Sequence, residues 1–132
     1  MKNWVFFVII ILLFRTLMAC ENYYSSSVIN NSNSEILLCV KGDRVAIKKL
    51  REEYIKKGLL VRGIEVRNYQ VKIKPSESFQ LDGRLHTPPD FYNIKEIEIY
   101  SGDTLILKCR KDQMMKLFSS KINPGSSDLI IK

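Results

Sequence analysis

The spacing of apolar and polar residues changes along the chain, and each change in spacing marks a new predicted helix or strand. Residues 35–40 are short and apolar, as in a buried strand. Residues 44–57 have the spacing of an amphipathic helix, with Asp43 as its N-cap and Gly58 at its end. The side chains on the predicted apolar face of this helix are Ala46, Ile47, Leu50 and Tyr54. We therefore expect a strand followed by the main helix.

Further along, the apolar positions alternate with a period of two, which predicts strands. Within 59–74 the alternation changes parity near Arg67, so a bulge or break is expected there. Residues 94–100 and 104–109 alternate on either side of a short connection that contains Gly, which is typical of a hairpin. After it, Asp112 caps a second predicted helix.

These elements together predict an α+β fold. It consists of a small mixed or mostly antiparallel sheet of about four to five strands, the main helix at about 44–57 and a shorter C-terminal helix at about 113–121. We expect a single globular domain over 35–122 and a C-terminal tail over 123–132.

The amino terminus has the pattern of an export signal. Lys2 precedes an apolar run over 4–14, which as a helix covers about 16 Å and is too short to span a ~30 Å hydrocarbon core. A positive start, a short apolar segment and a small residue before the cut are typical of a secretory signal. We predict a signal peptide over 1–19, cleaved between Ala19 and Cys20.

The cut site reads Leu17, Met18, Ala19, Cys20, and it resembles the lipobox of bacterial lipoprotein precursors. The resemblance implies that the Cys20 thiol receives a diacylglyceryl group and that the freed amine is acylated, for example with palmitate. Glu21 follows, and a residue other than aspartate there favours the outer membrane in enteric members of the class. The implied location is the bacterial cell envelope, lipid-anchored and facing the periplasm. Ordinary secretory cleavage and an uncleaved signal anchor are the alternatives.

The stretch after the lipobox is rich in Ser and Asn, so residues 20–34 are predicted to form a lipidated flexible tether. It contains one glycosylation sequon, at Asn30, which has meaning only in a eukaryotic or viral secretory context. With Cys20 acylated, Cys39 and Cys109 remain in an oxidising compartment. They predict one disulfide that closes a loop of about 70 residues, and two separate buried thiols are the alternative.

Composition and charge exclude some classes of function. Hydrophobic residues make up 45% of the chain and charged residues 27%, as in a soluble domain with a packed core. The net charge is +7, but basic and acidic residues are interleaved and no uninterrupted basic block occurs. We therefore predict no nucleic-acid partner, and the charge is compatible with an acidic protein partner.

Catalytic chemistry would have to begin at His86, the single histidine of the chain. Asp82 and Asp90 lie four residues to either side, but Pro88 and Pro89 prevent a continuous helix that would align the three side chains. No nucleophile elbow, phosphate loop or zinc-type spacing occurs. The sequence predicts no catalytic residue, no metal and no cofactor.

The longest stretch without clear periodicity, 76–92, is the candidate partner-binding loop. Its candidate contact residues are Phe79, Leu81, His86, Phe91 and Tyr92. Side chains held beside prolines lose little conformational entropy when a partner docks. The alternative is that these aromatic residues only cover the sheet.

The predicted function is that of a membrane-anchored envelope lipoprotein whose small, non-catalytic domain binds a protein partner, as an accessory or structural factor. One alternative is an immunity or inhibitor lipoprotein that neutralises a periplasmic toxin or hydrolase. A second alternative is an enzyme that acts on the cell wall.

Overall fold

A computed structural model describes residues 22–60, 67–118 and 125–132. Within these ranges the chain forms β1 (Tyr23–Asn30), β2 (Ile36–Gly42), α1 (Arg44–Lys56), β3 (Tyr69–Ile73), β4 (Ser78–Leu85), β5 (Ile94–Ser101), β6 (Thr104–Arg110), α2 (Lys111–Phe118) and β7 (Gly125–Ile131). The α+β prediction is confirmed, with one main helix, one shorter C-terminal helix and two mostly antiparallel sheets.

The larger sheet has four strands in the order β3-β2-β5-β6, and every neighbouring pair is antiparallel. On β2, Ile36, Leu38 and Val40 alternate with less buried residues, so one face of the strand points into the core. The predicted hairpin joins β5 to β6, and Gly102 takes a positive φ of 55° in its turn. The strand predicted at 35–40 is the second strand of this sheet.

The smaller sheet has three strands in the order β4-β1-β7, with β1 antiparallel to β4 and parallel to β7. Two sequence predictions were wrong here, because residues 23–30 of the expected tether form β1 and residues 125–131 of the expected tail form β7. β1 has neighbours on both sides, so its backbone groups find hydrogen-bond partners despite its Ser-rich composition. The folded domain therefore extends beyond 35–122 at both ends.

The two helices begin close to where the sequence places them. Asp43 Oδ1 accepts a hydrogen bond of 3.0 Å from the backbone N–H of Ala46, which is the predicted cap of α1. On α1, Ile47 is buried and most of the other side chains are exposed. α2 begins at Lys111, so the predicted cap Asp112 lies inside its first turn instead of before it. Residues 119–121 of the predicted helix lie outside the described residues. The predicted break near Arg67 falls beside 61–66, which also lie outside them.

One hydrophobic core is shared by both sheets and α2. It consists of Val28, Ile36, Leu38, Val40, Ile73, Phe91, Ile94, Ile97, Ile99, Cys109, Met114, Phe118 and Ile131. The rings of Phe91 and Phe118 pack with their centroids 5.2 Å apart, which ties the segment before β5 to α2. Within the described ranges, no helix is long and apolar enough to cross a membrane.

Candidate functional site

The predicted processing residues Ala19 and Cys20 lie outside the described residues. The description begins at Asn22, whose carbonyl oxygen accepts a hydrogen bond of 2.8 Å from the backbone N–H of His86. β1 begins at the next residue, Tyr23. Only Glu21 and Asn22 therefore separate Cys20 from the three-stranded sheet.

The predicted disulfide between Cys39 and Cys109 is absent, and both thiols are free. Cys39 on β2 is aligned with Glu98 on β5, whereas Cys109 on β6 is aligned with Ile97, so the two thiols lie on opposite faces of the sheet. β5 also separates their strands, which places their Cα atoms about 10 Å apart, beyond the roughly 7 Å that a disulfide permits. The alternative of two separate buried thiols is correct in that the thiols are separate, but only Cys109 is buried and Cys39 is half-buried.

The predicted partner-binding loop contains a strand, β4, and three of its candidate contact residues pack on the hydrophobic core. Phe79 and Leu81 lie on β4, where both are partly buried against the core cluster. Phe91 is only 1% exposed, so its ring is not available to a partner. His86 is the exposed member of the predicted set. For these aromatic residues the structure agrees with the alternative that they cover the sheet.

Acidic side chains hold the segment between β4 and β5 in place. Asp82 Oδ2 accepts a hydrogen bond of 3.0 Å from the backbone N–H of Phe91, which has a positive φ of 50°. Asp90 Oδ1 accepts from Arg84 and, at 2.9 Å, from the backbone N–H of Tyr92. A bulky residue keeps a left-handed backbone only where its surroundings impose it, and here the buried ring and the Asp82 contact do so. The two carboxylates suggested by the spacing around His86 thus have structural partners.

Tyr92 links this segment to both helices. Its hydroxyl group donates a hydrogen bond of 2.8 Å to the carbonyl oxygen of Ala46, in the first turn of α1. Lys111 Nζ donates to Asp43 Oδ2 at 2.7 Å and to the Tyr92 carbonyl oxygen at 2.8 Å, and it lies 5.6 Å from the centre of the Tyr92 ring. The Lys111 hydrogen bond lowers the pKa of Asp43. Tyr92 therefore has a structural role at the junction of the two helices.

A second surface, which the sequence analysis did not identify, lies on the outer face of the four-stranded sheet. We call it the charged face, and it consists of Lys41, Glu96, Glu98, Tyr100 and Lys108. Lys41 Nζ lies 2.7 Å from Glu96 Oε1 and 2.9 Å from Glu98 Oε1. Lys108 Nζ lies 3.4 Å and 2.9 Å from the same two atoms. Each carboxylate is thus shared by two ammonium groups from flanking strands.

The charges on this face are strongly coupled. The hydrogen bond from Lys41 is the main cause that lowers the pKa of Glu98, to about 2, with Lys108 and Tyr100 adding to the effect. The pKa of Glu96 is lowered for the same reason, and hydrogen bonds to the carboxylates raise the pKa of Lys41 and of Lys108. The Tyr100 hydroxyl group donates to Glu98 Oε2 at 3.0 Å, which raises the pKa of Tyr100. At neutral pH the face carries a fixed pattern of two positive and two negative groups.

A cleft of about 710 Å³ runs beside these charges. Its wall includes Leu37, Cys39, Gln70 and Tyr100, contributed by β2, β3 and β5. Leu37, Cys39 and Tyr100 are half-buried, so the cleft offers apolar surface next to an ordered charge pattern. The alternation of 94–100 places Glu96 and Glu98 on one face, but the identity of their basic partners depends on strand register.

Few metal-binding side chains converge in the part of the chain that is described. Over 22–60, 67–118 and 125–132, no group of three or more His, Cys, Asp or Glu residues is arranged to hold a metal ion.

No protein-family model, curated protein or solved structure matches this chain. Its function is therefore argued from its own residues.

Proposed function

We propose that this chain is the precursor of a bacterial envelope lipoprotein. Cys20 is acylated and anchors the mature protein in the outer membrane, facing the periplasm, and the α+β domain binds a protein partner without catalysing a reaction. The observation that carries the proposal is the position of the lipobox: its cysteine stands three residues before the first strand, β1, at Tyr23.

The boundary of the fold supports cleavage at this position. Removal of residues 1–19 leaves every described strand and helix intact, since β1 begins at Tyr23. A cut a few residues later would remove part of β1, the central strand of its sheet, and would leave backbone groups of β4 and β7 without partners. The proposed cleavage site is thus close to the latest position that spares the fold.

The charged face and its cleft support the binding role. Binding costs less when side chains are already ordered, and the contacts of Lys41 and Lys108 with the shared carboxylates provide that order. A fixed pattern of charges favours partners with the complementary pattern and therefore contributes mainly to specificity. Leu37 and Tyr100 add apolar contact area in the adjoining cleft.

The first experiment is intact mass spectrometry of the protein recovered from bacterial membranes, with wild type and Cys20→Ala compared. We expect a wild-type product that begins at Cys20 and carries diacylglyceryl and acyl mass, and no such product from the variant. A product that begins at Met1 would indicate a signal anchor, and an unlipidated product that begins at Cys20 would indicate ordinary secretion. Either result contradicts the proposal.

The second experiment tests the binding role in cells. A photo-crosslinking amino acid is placed at Leu37, in the cleft, or at Ile130, a 47% exposed position on β7 in the other sheet that serves as the matched control. We expect a discrete crosslinked protein from position 37, little from position 130, and loss of the product when Glu98→Lys reverses one charge of the face. Equal products from both positions, or none from position 37, would refute this binding surface.

The identity of the crosslinked protein separates the proposed function from its alternatives. If it is a toxin or hydrolase whose toxicity the lipoprotein suppresses on co-expression, the domain is an immunity protein or inhibitor. If purified protein releases fragments from cell-wall material and His86→Ala abolishes that release, the domain is an enzyme. A stable envelope complex with neither property is the expected result.

A further inference from the structure

We infer that one end of the domain lies directly on an anionic lipid bilayer. This anchor end consists of the start of β1, the end of β4 and the beginning of α1. The inference deepens the proposed function and rests on acylation of Cys20. It concerns where the domain sits once the lipid holds it.

Strand directions bring these elements to the same end of the fold. β1 begins where β4 ends, with Tyr23 aligned to Leu85. The segment after Leu85 crosses to the other sheet, where the carbonyl oxygen of Asn93 accepts a hydrogen bond of 2.9 Å from the backbone N–H of Asp43. Asp43 is the N-cap of α1, so this helix starts at the anchor end.

The chain between lipid and fold is short. Asn22 is held by the hydrogen bond from the backbone N–H of His86, so the two-residue path from Cys20 covers at most about 7 Å between Cα atoms. A tether over 20–34 would instead have allowed the domain to stand roughly 50 Å away. An acylated Cys20 sits at the level of the lipid headgroups, and it therefore brings the anchor end to the bilayer surface.

The side chains at this end suit a membrane interface. Tyr23 and Leu85 are cross-strand neighbours, and they are 45% and 50% exposed. The Tyr23 hydroxyl group accepts a hydrogen bond of 2.7 Å from Gln80 Nε2, so its exposed ring lies along β4 toward the middle of the strand, and Leu85 is the apolar side chain at the strand end. Val45, in the first turn of α1, is 80% exposed. These apolar groups are exposed at the same end of the fold as the proposed lipid anchor.

Charge favours an anionic bilayer. Residues 44–60, which form α1 and the turn after it, contain six basic and two acidic side chains, a net charge of +4. The basic side chains, all of which are exposed, are Arg44, Lys48, Lys49, Arg51, Lys56 and Lys57. Basic groups near an anionic surface are attracted within about one Debye length, roughly 8–10 Å. The lipid anchor brings the membrane to the end of the domain where α1 starts with Arg44, whereas an acidic protein would have to bind from solution.

The experiment uses tryptophan as a depth probe. The single tryptophan of the chain is Trp4, so the mature protein from Cys20 onward contains none. Leu85→Trp places one probe at the anchor end. Leu105→Trp is the matched control, because Leu105 is similarly exposed at 46% but lies at the start of β6, where the β5–β6 turn marks the opposite end. Both lipidated proteins are reconstituted into vesicles of phosphatidylethanolamine and phosphatidylglycerol, with or without bromine on the acyl chains.

We expect brominated lipid to remove roughly half or more of the Leu85→Trp fluorescence, with a blue-shifted emission, and to leave Leu105→Trp nearly unchanged. Replacing phosphatidylglycerol with phosphatidylcholine, or adding Lys48→Glu and Lys49→Glu, should reduce the quenching at position 85.

Several results would overturn the inference. Equal quenching at both positions would show that the domain is not oriented, and quenching at neither would show that it stands off the bilayer. If Leu85→Trp is unquenched in vesicles but blue-shifted in native membranes, a protein covers this end. The intact mass of the same samples distinguishes failure of this inference from failure of the proposed function. Lipidated protein without quenching refutes the orientation alone, whereas unlipidated protein refutes the proposed function itself.

Discussion

Asn30→Ala should destabilise the fold markedly, because one buried amide joins three segments. Asn30 is fully buried at the end of β1. Its Nδ2 donates to the carbonyl oxygens of Ile73 and Ser34, each at 2.8 Å, and its Oδ1 accepts from Ser32 N at 3.0 Å and from Ser32 Oγ at 2.6 Å. The same side chain that forms the sequon thus connects the two sheets and the turn between them, and it is not accessible for glycosylation in the folded domain.

The cost follows from the groups left without partners. The carbonyl oxygen of Ile73 is in a buried hydrogen bond, and a buried polar group without a partner costs about 1–3 kcal/mol. The contacts with Ser32 and Ser34 are only partly buried, so water can replace some of them. From these effects together, we expect Asn30→Ala to lower the free energy of unfolding by roughly 2–4 kcal/mol.

Urea unfolding of the unlipidated domain from residue 20, followed by circular dichroism, measures this loss. A loss of about 3 kcal/mol lowers the midpoint by roughly 1–3 M urea for typical m values. Asn33→Ala, an exposed Asn in the same turn, is the control and should change little. Asn30→Asp should be most harmful at neutral pH, where a carboxylate faces two carbonyl oxygens, and less harmful near pH 4. An Asn30→Ala midpoint equal to that of Asn33→Ala would refute the reasoning.

Three further predictions follow from the same structure. Ser26→Ala should raise the urea midpoint and the free energy of unfolding, the latter by about 1 kcal/mol, because within the described residues the buried Ser26 Oγ has no hydrogen-bond partner. A lower midpoint would show that Ser26 Oγ does have a partner. The pKa of Glu98 is lowered from 4.5 to about 2, so the contribution of its carboxylate to stability is present above pH 4.5 and is lost as the pH falls toward 2. The urea midpoint of Glu98→Gln should therefore depend less on pH over this range than that of the wild type. Equal pH dependence of the two midpoints would contradict the charge network. Without reductant, the half-buried Cys39 should react with a maleimide in the native domain. Cys109 is buried and burial raises its pKa, so it should react only on unfolding. Failure of both thiols to react in urea would indicate a disulfide.

The helices and the central hairpin were predictable because their signals are local. α1 combines a capping Asp43, an apolar face and a terminal Gly58, and each acts within a few residues of its own position. β5 alternates over Glu96–Ile99, and apolar residues of both strands flank a turn with Gly102. Local propensity and tertiary structure agree in these segments, so reading the residues in order was sufficient.

β1 was not predictable from composition. Its inward positions are Ser26, Val28 and Asn30, and two of these three are polar, so the alternation of apolar side chains that marks a strand is missing. β1 is stabilised by pairing with β4 and β7, which come from distant parts of the chain. Phe91 does lie in the segment between β4 and β5, but its role as a partner contact was wrong, because its burial against Phe118 is visible only in three dimensions.

By itself the sequence determined the α+β class, the main helix and the motif at Cys20, because each of these depends on neighbouring residues. Only the tertiary structure decided that Cys39 and Cys109 stay apart, that Lys41 and Lys108 share two carboxylates, and that β1 begins directly after the lipobox. These features depend on strand order and register, where a shift of one residue exchanges the two faces of a strand. Register is set by contacts between segments far apart in the chain, and for that reason the charged face and the anchor end became visible only in the fold.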